Sequence, residues 1–111
     1  MLTERFIQRN PVTVKKFVGA FAKAVEWTQT HSREEVVAFS KKIIEKRRRN
    51  EDSTAIEFWK SSGVANKGGV IDAKEFQTWI DWLEREGEIE PGQVKAEDVF
   101  TNEYNPFGGT R

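Results

Sequence analysis

The sequence predicts an all-α fold of four or five short-to-medium helices, forming a single segment over residues 1–107 with 108–111 as a flexible tail. Three observations predict it. Apolar residues recur at helical spacing in separate stretches, and a helix-start signal precedes most of those stretches. No alternating apolar–polar run is long enough for a strand, Val70-Ile71 being too short to stand alone. The chain's 111 residues suffice for one core that buries roughly two-thirds of the unfolded surface. Eight Phe and four Trp supply large apolar area for it.

Residues 3–9 suggest a short first helix with Phe6 and Ile7 facing inward. Asn10-Pro11 then starts a second helix, because Asn caps well and the N–H that Pro lacks has no partner at the first helical position. Val14, Phe17, Val18, Phe21 and Val25 give it one apolar face, as far as about Gln29. Ser32 with Glu35 three residues on is a capping box. The helix behind it carries Val36, Val37, Phe39, Ile43 and Ile44 and runs to about Arg48. Asn50 to Ser53 is a break, followed by a short helix with Ile56, Phe58 and Trp59. Ser61 to Gly69 reads as a loop. Asp72 and Glu75 form another cap-and-glutamate pair, opening a helix that packs Phe76, Trp79, Ile80 and Leu83, with Gly87 as its stop. Pro91-Gly92 is a turn. Lys95 to Phe100 adds one helical turn before an irregular end.

Composition narrows the function. Eighteen basic residues balance 18 acidic ones, so no global field draws nucleic acid or an anionic membrane. Cysteine is absent, which removes disulfides, thiolate metal sites and a cysteine nucleophile. No stretch approaches the ~20 apolar residues of a membrane span. The opening "MLTERFIQRN" has no apolar signal-peptide core, so a chain made alone is expected in the cytoplasm.

The stretch "GGVIDAKEFQTWIDWLEREG" raises the question of calcium. With Glu75 at position 12 of an EF-hand loop, Asp72 falls at 9, Gly69 at 6 and Asn66 at 3. Gly68 then falls at 5 and Val64 at 1, and neither side chain offers an oxygen to the ion. A cap, a glutamate reaching back to complete the box, and a glycine turn account for the same residues.

Lys41, Lys42, Lys46, Arg47, Arg48 and Arg49 make a dense basic run. It reads as the solvated C-terminal end of a helix, where cations complement the dipole, because no aromatic residues interleave with it as a nucleic-acid surface would require. Trp27, Trp59, Trp79 and Trp82 read mainly as packing residues, with Trp82 toward the edge of its stripe and facing a partner surface. His31, the one histidine, lies at a helix boundary with no placeable partner. Asp81, Glu84 and Glu86 form a solvated acidic face. The reading is therefore non-enzymatic, with no catalytic, cofactor-binding or metal-binding residue assigned.

The order of elements carries a resemblance. "RFIQRNPVTVKKFVGAFAKAVEWTQTH", then "SREEVVAFSKK", then "GVIDAKEFQTWIDWLEREGEIEPGQVKAEDVFTNEYNPF" resemble the C-terminal helical part of the solute-binding proteins of nitrate/sulfonate/taurine-type ABC transporters. In that family an "N-P" start opens a helix ending near a Trp, and a "W-x-D-W-L"-like helix precedes a chain end like "TNEYN". The resemblance spans residues 2–107. It implies a parent with two α/β lobes and a solute cleft between them, working outside the cytoplasmic membrane with a transporter permease. The solutes it implies are nitrate, alkanesulfonates, taurine and thiamine-precursor pyrimidines. The sheets and most of the cleft lie outside what is matched, so no solute-binding residue is carried over to this chain. The segment's own expected role is scaffold, with self-association as a homodimer through apolar faces left uncovered. The alternative is a free-standing helical protein-interaction module that uses Trp82 and the basic helix end.

Overall fold

A computed structural model describes residues 1–108. Residues 109–111, most of the stretch read as a flexible tail, lie outside the described residues. The fold is all-α. Four α-helices, α1 (Glu4–Arg9), α2 (Pro11–Thr30), α3 (Arg33–Arg47) and α4 (Ala73–Arg85), are joined by three 3-10 turns at Thr54–Phe58, Lys67–Gly69 and Ala96–Asp98. There is no strand among the described residues.

Local chemistry explains most of the boundaries. Thr3 caps α1 by accepting from the Phe6 N–H. Asn10 does not cap α2 as the Asn-Pro pair predicts. Its amide turns back and donates to the Phe6 carbonyl, closing α1 instead. α2 starts without a side-chain cap, and Pro11 at its first position leaves one N–H fewer to satisfy. The capping box of α3 is present in full: the Glu35 N–H donates to Ser32 Oγ, and the Ser32 N–H donates to the Glu35 carboxylate at 2.8 Å. Arg48 ends α3 in the left-handed region. The short helix expected after Ser53 is a 3-10 turn, and Trp59 falls just beyond it. It begins where Asp52 accepts from both the N–H and the hydroxyl of Thr54.

At the start of α4, Asp72 accepts from the Lys74 N–H. The reciprocal half of the expected box is absent, because the Glu75 carboxylate takes the Asn66 amide. The far end is a Schellman closure: the Glu88 N–H reaches the Leu83 carbonyl and the Gly87 N–H reaches Glu84, with Gly87 at φ 76°. Glu90 to Gln93 then turns through Pro91 and Gly92, with Gly92 at φ 76°. That is the arrangement of a type II turn.

Packing is far more open than the sequence suggests. α2 packs on the Lys67–Gly69 turn, α3 on Thr54–Phe58, α4 on Ala96–Asp98 and α1 on α2. The buried apolar residues among those described are Val14, Ala22, Val25, Ile56, Ile80 and Ala96. Phe6 is exposed and not inward-facing, Phe17 and Phe21 are 60% and 57% exposed, and Trp79 is 66% exposed and not packed. Phe39, Ile43, Phe58, Trp59 and Trp82 are exposed as well. The helical spacing is right, but among the described residues these faces are covered only in part, Phe39 by the Trp27 ring with centroids 4.9 Å apart.

The areas give the scale. The chain presents 9168 Å2 to solvent, against about 6300 Å2 for a compact monomer of 12.8 kDa. Burial therefore reaches about half of the extended-chain surface and not the expected two-thirds. The radius of gyration is 17.3 Å, against about 13 Å for a compact domain of this length.

The capping box yields a first prediction. Ser32→Ala should destabilise α3 by about 1 kcal/mol, read as lost helicity and an earlier denaturant midpoint. The Ser32 backbone N–H, and then its hydroxyl, hold the Glu35 carboxyl below the ordinary glutamate range. A depressed folded value means that the box is intact above the free glutamate value of about 4.3. Its contribution is lost as pH falls through the lower folded value. In Ser32→Ala that acid-induced loss of α3 helicity should shrink, and an unchanged acid titration would count against the assignment.

Candidate functional site

The best-constructed region of the molecule is the loop from Asn66 to Ile71. Two glycines let it turn: Gly68 has φ 59° and Gly69 has φ 72°, both in the left-handed region. α2 holds it from one side. Glu26 accepts from the Gly68 N–H at 2.9 Å, and the Gln29 amide donates to the carbonyls of Val64 and Asn66 at 3.0 and 2.9 Å. The chain end holds it from the other. Asn102 accepts from the Ile71 N–H and donates to the Ile71 carbonyl, both at 2.9 Å, and the Asn105 amide donates to the Gly68 carbonyl at 2.9 Å. Asn66 closes the loop on itself by donating to the Val70 carbonyl.

This geometry explains the residue types. A carboxamide carries an acceptor and two donors side by side, so Asn102 can match both polar groups of Ile71 as a neighbouring strand would. It is the one polar residue buried among the described residues. The Phe107 ring lies against Gly68, where a Cβ would come within 2.2 Å of it. The Lys67 ammonium stands 5.6 Å from the centre of the same ring, within cation–π range.

The residues weighed for calcium lie in this loop and on either side of it, where the polar side chains among them bind protein. Asp72 caps α4, Glu75 takes the Asn66 amide, and the Asn66 amide also bonds Val70. Among the described residues no three His, Asp or Glu side chains gather as a metal site.

The remaining candidates are dispersed. The His31 ring stacks on Trp27 with centroids 4.3 Å apart, and its Nδ1 lies 2.8 Å from the Trp27 carbonyl. A carbonyl only accepts, so Nδ1 carries the proton and His31 acts as a C-terminal cap of α2. In the basic run, Lys41 pairs with Glu57 and Arg47 with Glu51. Lys42, Lys46, Arg48 and Arg49 form no ion pair among the described residues. Trp79 and Trp82 meet edge to face at 6.2 Å on the outer side of α4. Trp82 is exposed, and Trp79 is more so.

One cavity accompanies the loop, and a second lies apart from it. The larger, about 650 Å3, lies between the loop and the chain end, with Val70, Ile71, Phe100 and Phe107 on its apolar side. The smaller, about 240 Å3, lies beside His31, Arg33, Trp59 and Lys60. The Arg33 guanidinium there is engaged by the carbonyls of Trp59 and Glu57. No buried side-chain polar atom lacks a partner among the described residues. Sequence reasoning did not single out Asn102, Asn105, Glu26 or Gln29. The available signal was two asparagines three residues apart in an otherwise irregular end.

Comparison with protein-family models, curated proteins and solved structures finds no match to this chain.

Two substitutions test the clasp. Asn102→Ala leaves both polar groups of Ile71 without their partner and should destabilise the chain by about 2–3 kcal/mol, read by chemical denaturation. Gly68→Ala should be at least as damaging, because it combines a left-handed φ with the clash against Phe107. Adding Phe107→Ala should restore only the steric part. Simple additivity in that double-mutant cycle would argue against the contact.

Proposed function

We propose that this chain is the C-terminal helical part of a solute-binding protein of the nitrate/sulfonate/taurine ABC-transporter class. Its role there is structural. It buttresses one lobe of a two-lobed parent that captures a small anion or organic solute outside the cytoplasmic membrane and delivers it to a permease. The resemblance of residues 2–107 in motif order motivates the reading. The observation that supports it most is the uncovered apolar surface. In total, polar and apolar atoms together, the chain exposes roughly 2900 Å2 more than a compact monomer of its mass. Phe17 and Phe21 on α2, Phe39 and Ile43 on α3, and Trp79 and Trp82 on α4 belong to that surface. Faces of this kind suit helices that lie against a sheet or other helices of a lobe.

The chain-end clasp fits the same role. Asn102 and Asn105 belong to the "TNEYN" segment that carries part of the resemblance, and they fix the loop ahead of α4. A second reading, a free-standing helical interaction module, draws on the exposed Trp79–Trp82 pair.

Two measurements separate the readings. The DNA upstream of the Met1 codon should encode, in frame or across a frameshift, an α/β sequence that completes two lobes. The joined protein should then give a saturable calorimetric signal with taurine, an alkanesulfonate or nitrate, and the 111-residue chain should give none. Upstream DNA with no such sequence, or solute binding by the short chain itself, would overturn the proposal.

A further inference from the structure

The connection from α3 to the Thr54–Phe58 turn is held by very little. α3 ends at Arg47, and residues 45–52 are all exposed. The Arg48 N–H still reaches the Glu45 carbonyl. Beyond it, no backbone N–H or carbonyl of Arg49, Asn50, Glu51 or Asp52 makes a hydrogen bond among the described residues. Arg48 and Asn50 stand at φ 51° and 54°, the only non-glycine residues in the left-handed region among those described. That region suits Asn and strains Arg, so straightening the segment relieves Arg48. One ion pair spans the Arg49–Asn50 bond, Arg47 with Glu51, and an exposed pair of this kind resists opening only weakly.

We infer that the Arg49–Asn50 peptide bond is a processing site for an endopeptidase that selects basic side chains through an acidic pocket. Such an enzyme needs an accessible cationic side chain and several residues of backbone free to extend along its cleft. The chain has 18 basic residues, so the backbone decides among them. Most lie within α-helices, where the backbone is already committed. Lys67 and Lys95 precede the buried Gly68 and Ala96, and their carbonyls accept from the turns that follow. Lys60 lies between the carbonyls of Trp59 and Val64, which Arg33 and Gln29 hold. Arg49 has no such tie, and it ends a run of four successive basic residues, Lys46 to Arg49.

Hydrolysis adds one water across the bond. Its hydroxyl goes to the Arg49 carbonyl carbon, and a proton goes to the Asn50 nitrogen as the C–N bond breaks. The products carry a carboxylate at Arg49 and an amine at Asn50, with nothing oxidised or reduced. The two pieces stay together. Across the cut, Arg33 holds the carbonyls of Glu57 and Trp59, Lys41 pairs with Glu57, and Glu26 and Gln29 hold the backbone at Val64, Asn66 and Gly68. α2 and α3 also pack on the Lys67–Gly69 and Thr54–Phe58 turns. Cleavage therefore yields a two-chain form in which the basic end of α3 is a free terminus. The inference uses only this connection, so it stands or falls independently of the parent reading.

The test is brief digestion of the purified 111-residue chain with limiting trypsin, followed by intact mass measurement and native size exclusion. The expected first cut falls within Arg48–Asn50, chiefly after Arg49, and the pieces elute together with the intact chain and separate in denaturant. Arg48→Gln with Arg49→Gln should slow the first cut about tenfold or more, because the acidic pocket loses its charged partner. Both residues are exposed, and circular dichroism checks that the variant keeps its helices. Asn102→Ala, which weakens the whole fold, should leave the rate of the first cut unchanged, because local opening and not global unfolding exposes the bond. A first cut outside residues 48–50, a rate that rises with Asn102→Ala, or pieces that part in native buffer would overturn the inference. So would a double variant nicked elsewhere as fast as the unaltered chain is cut here.

Discussion

The loop from Asn66 to Ile71 depends on a few charged and carboxamide side chains, and the rest of the structure depends on that loop. Gly68 is held through its N–H by Glu26 on α2 and through its carbonyl by Asn105 near the chain end, while Asn102 pairs both polar groups of Ile71. These bonds join residues 31 to 42 positions apart. They are therefore tertiary structure made almost wholly by polar groups. Apart from them, α2, α4 and the chain end are linked chiefly by the Gln29 bonds to Val64 and Asn66, the stack of Phe76 on Phe100 and the small buried set around Val14, Ala22, Val25, Ile80 and Ala96.

That dependence has an energetic consequence. Loop closure over tens of residues carries a conformational cost, and individual hydrogen bonds contribute only about 1 kcal/mol net. A fold held this way gains most of its order from the penalty of leaving partly buried backbone groups unpaired. The positions follow that logic. Among the described residues, polar satisfaction is complete at buried side-chain atoms, whereas apolar burial is not. The local geometry is finished, and the apolar surface still wants cover.

The helices were legible in the sequence because their signals are local. Ser32 and Glu35 meet within one turn, Gly87 adopts the left-handed conformation that closes α4, and Pro91-Gly92 turns where the pair predicts. Asn10 misled because a carboxamide can serve the helix behind it as easily as the one ahead. Glu75 misled for a similar reason, as a distant amide competes with the cap N–H. The clasp was illegible because no local pattern distinguishes an asparagine that pairs a backbone 31 residues away from one in a solvated tail. Inward and outward positions on α2 and α4 were also unreadable beyond their period. Spacing says which residues share a face, and only the surroundings say whether that face is covered.

Periodicity without cover bears on how the chain uses its aromatics. In a self-contained domain Trp79 and Phe21 would be the largest contributors to the core. Here Ala22 is fully buried while the neighbouring Phe21 ring is mostly in solvent. The glycine loop approaches α2 closely, so that a Cβ at Gly69 would touch Val25 and the edge of the Phe21 ring at 3.7 and 3.8 Å. The buried side of α2 is Val14, Ala22 and Val25, while Phe17 and more than half of Phe21 stay in solvent. A helix that leaves its largest apolar residues so exposed has much of its packing energy still unspent. Each such ring, once removed from water, would add apolar burial of the order that a core aromatic contributes.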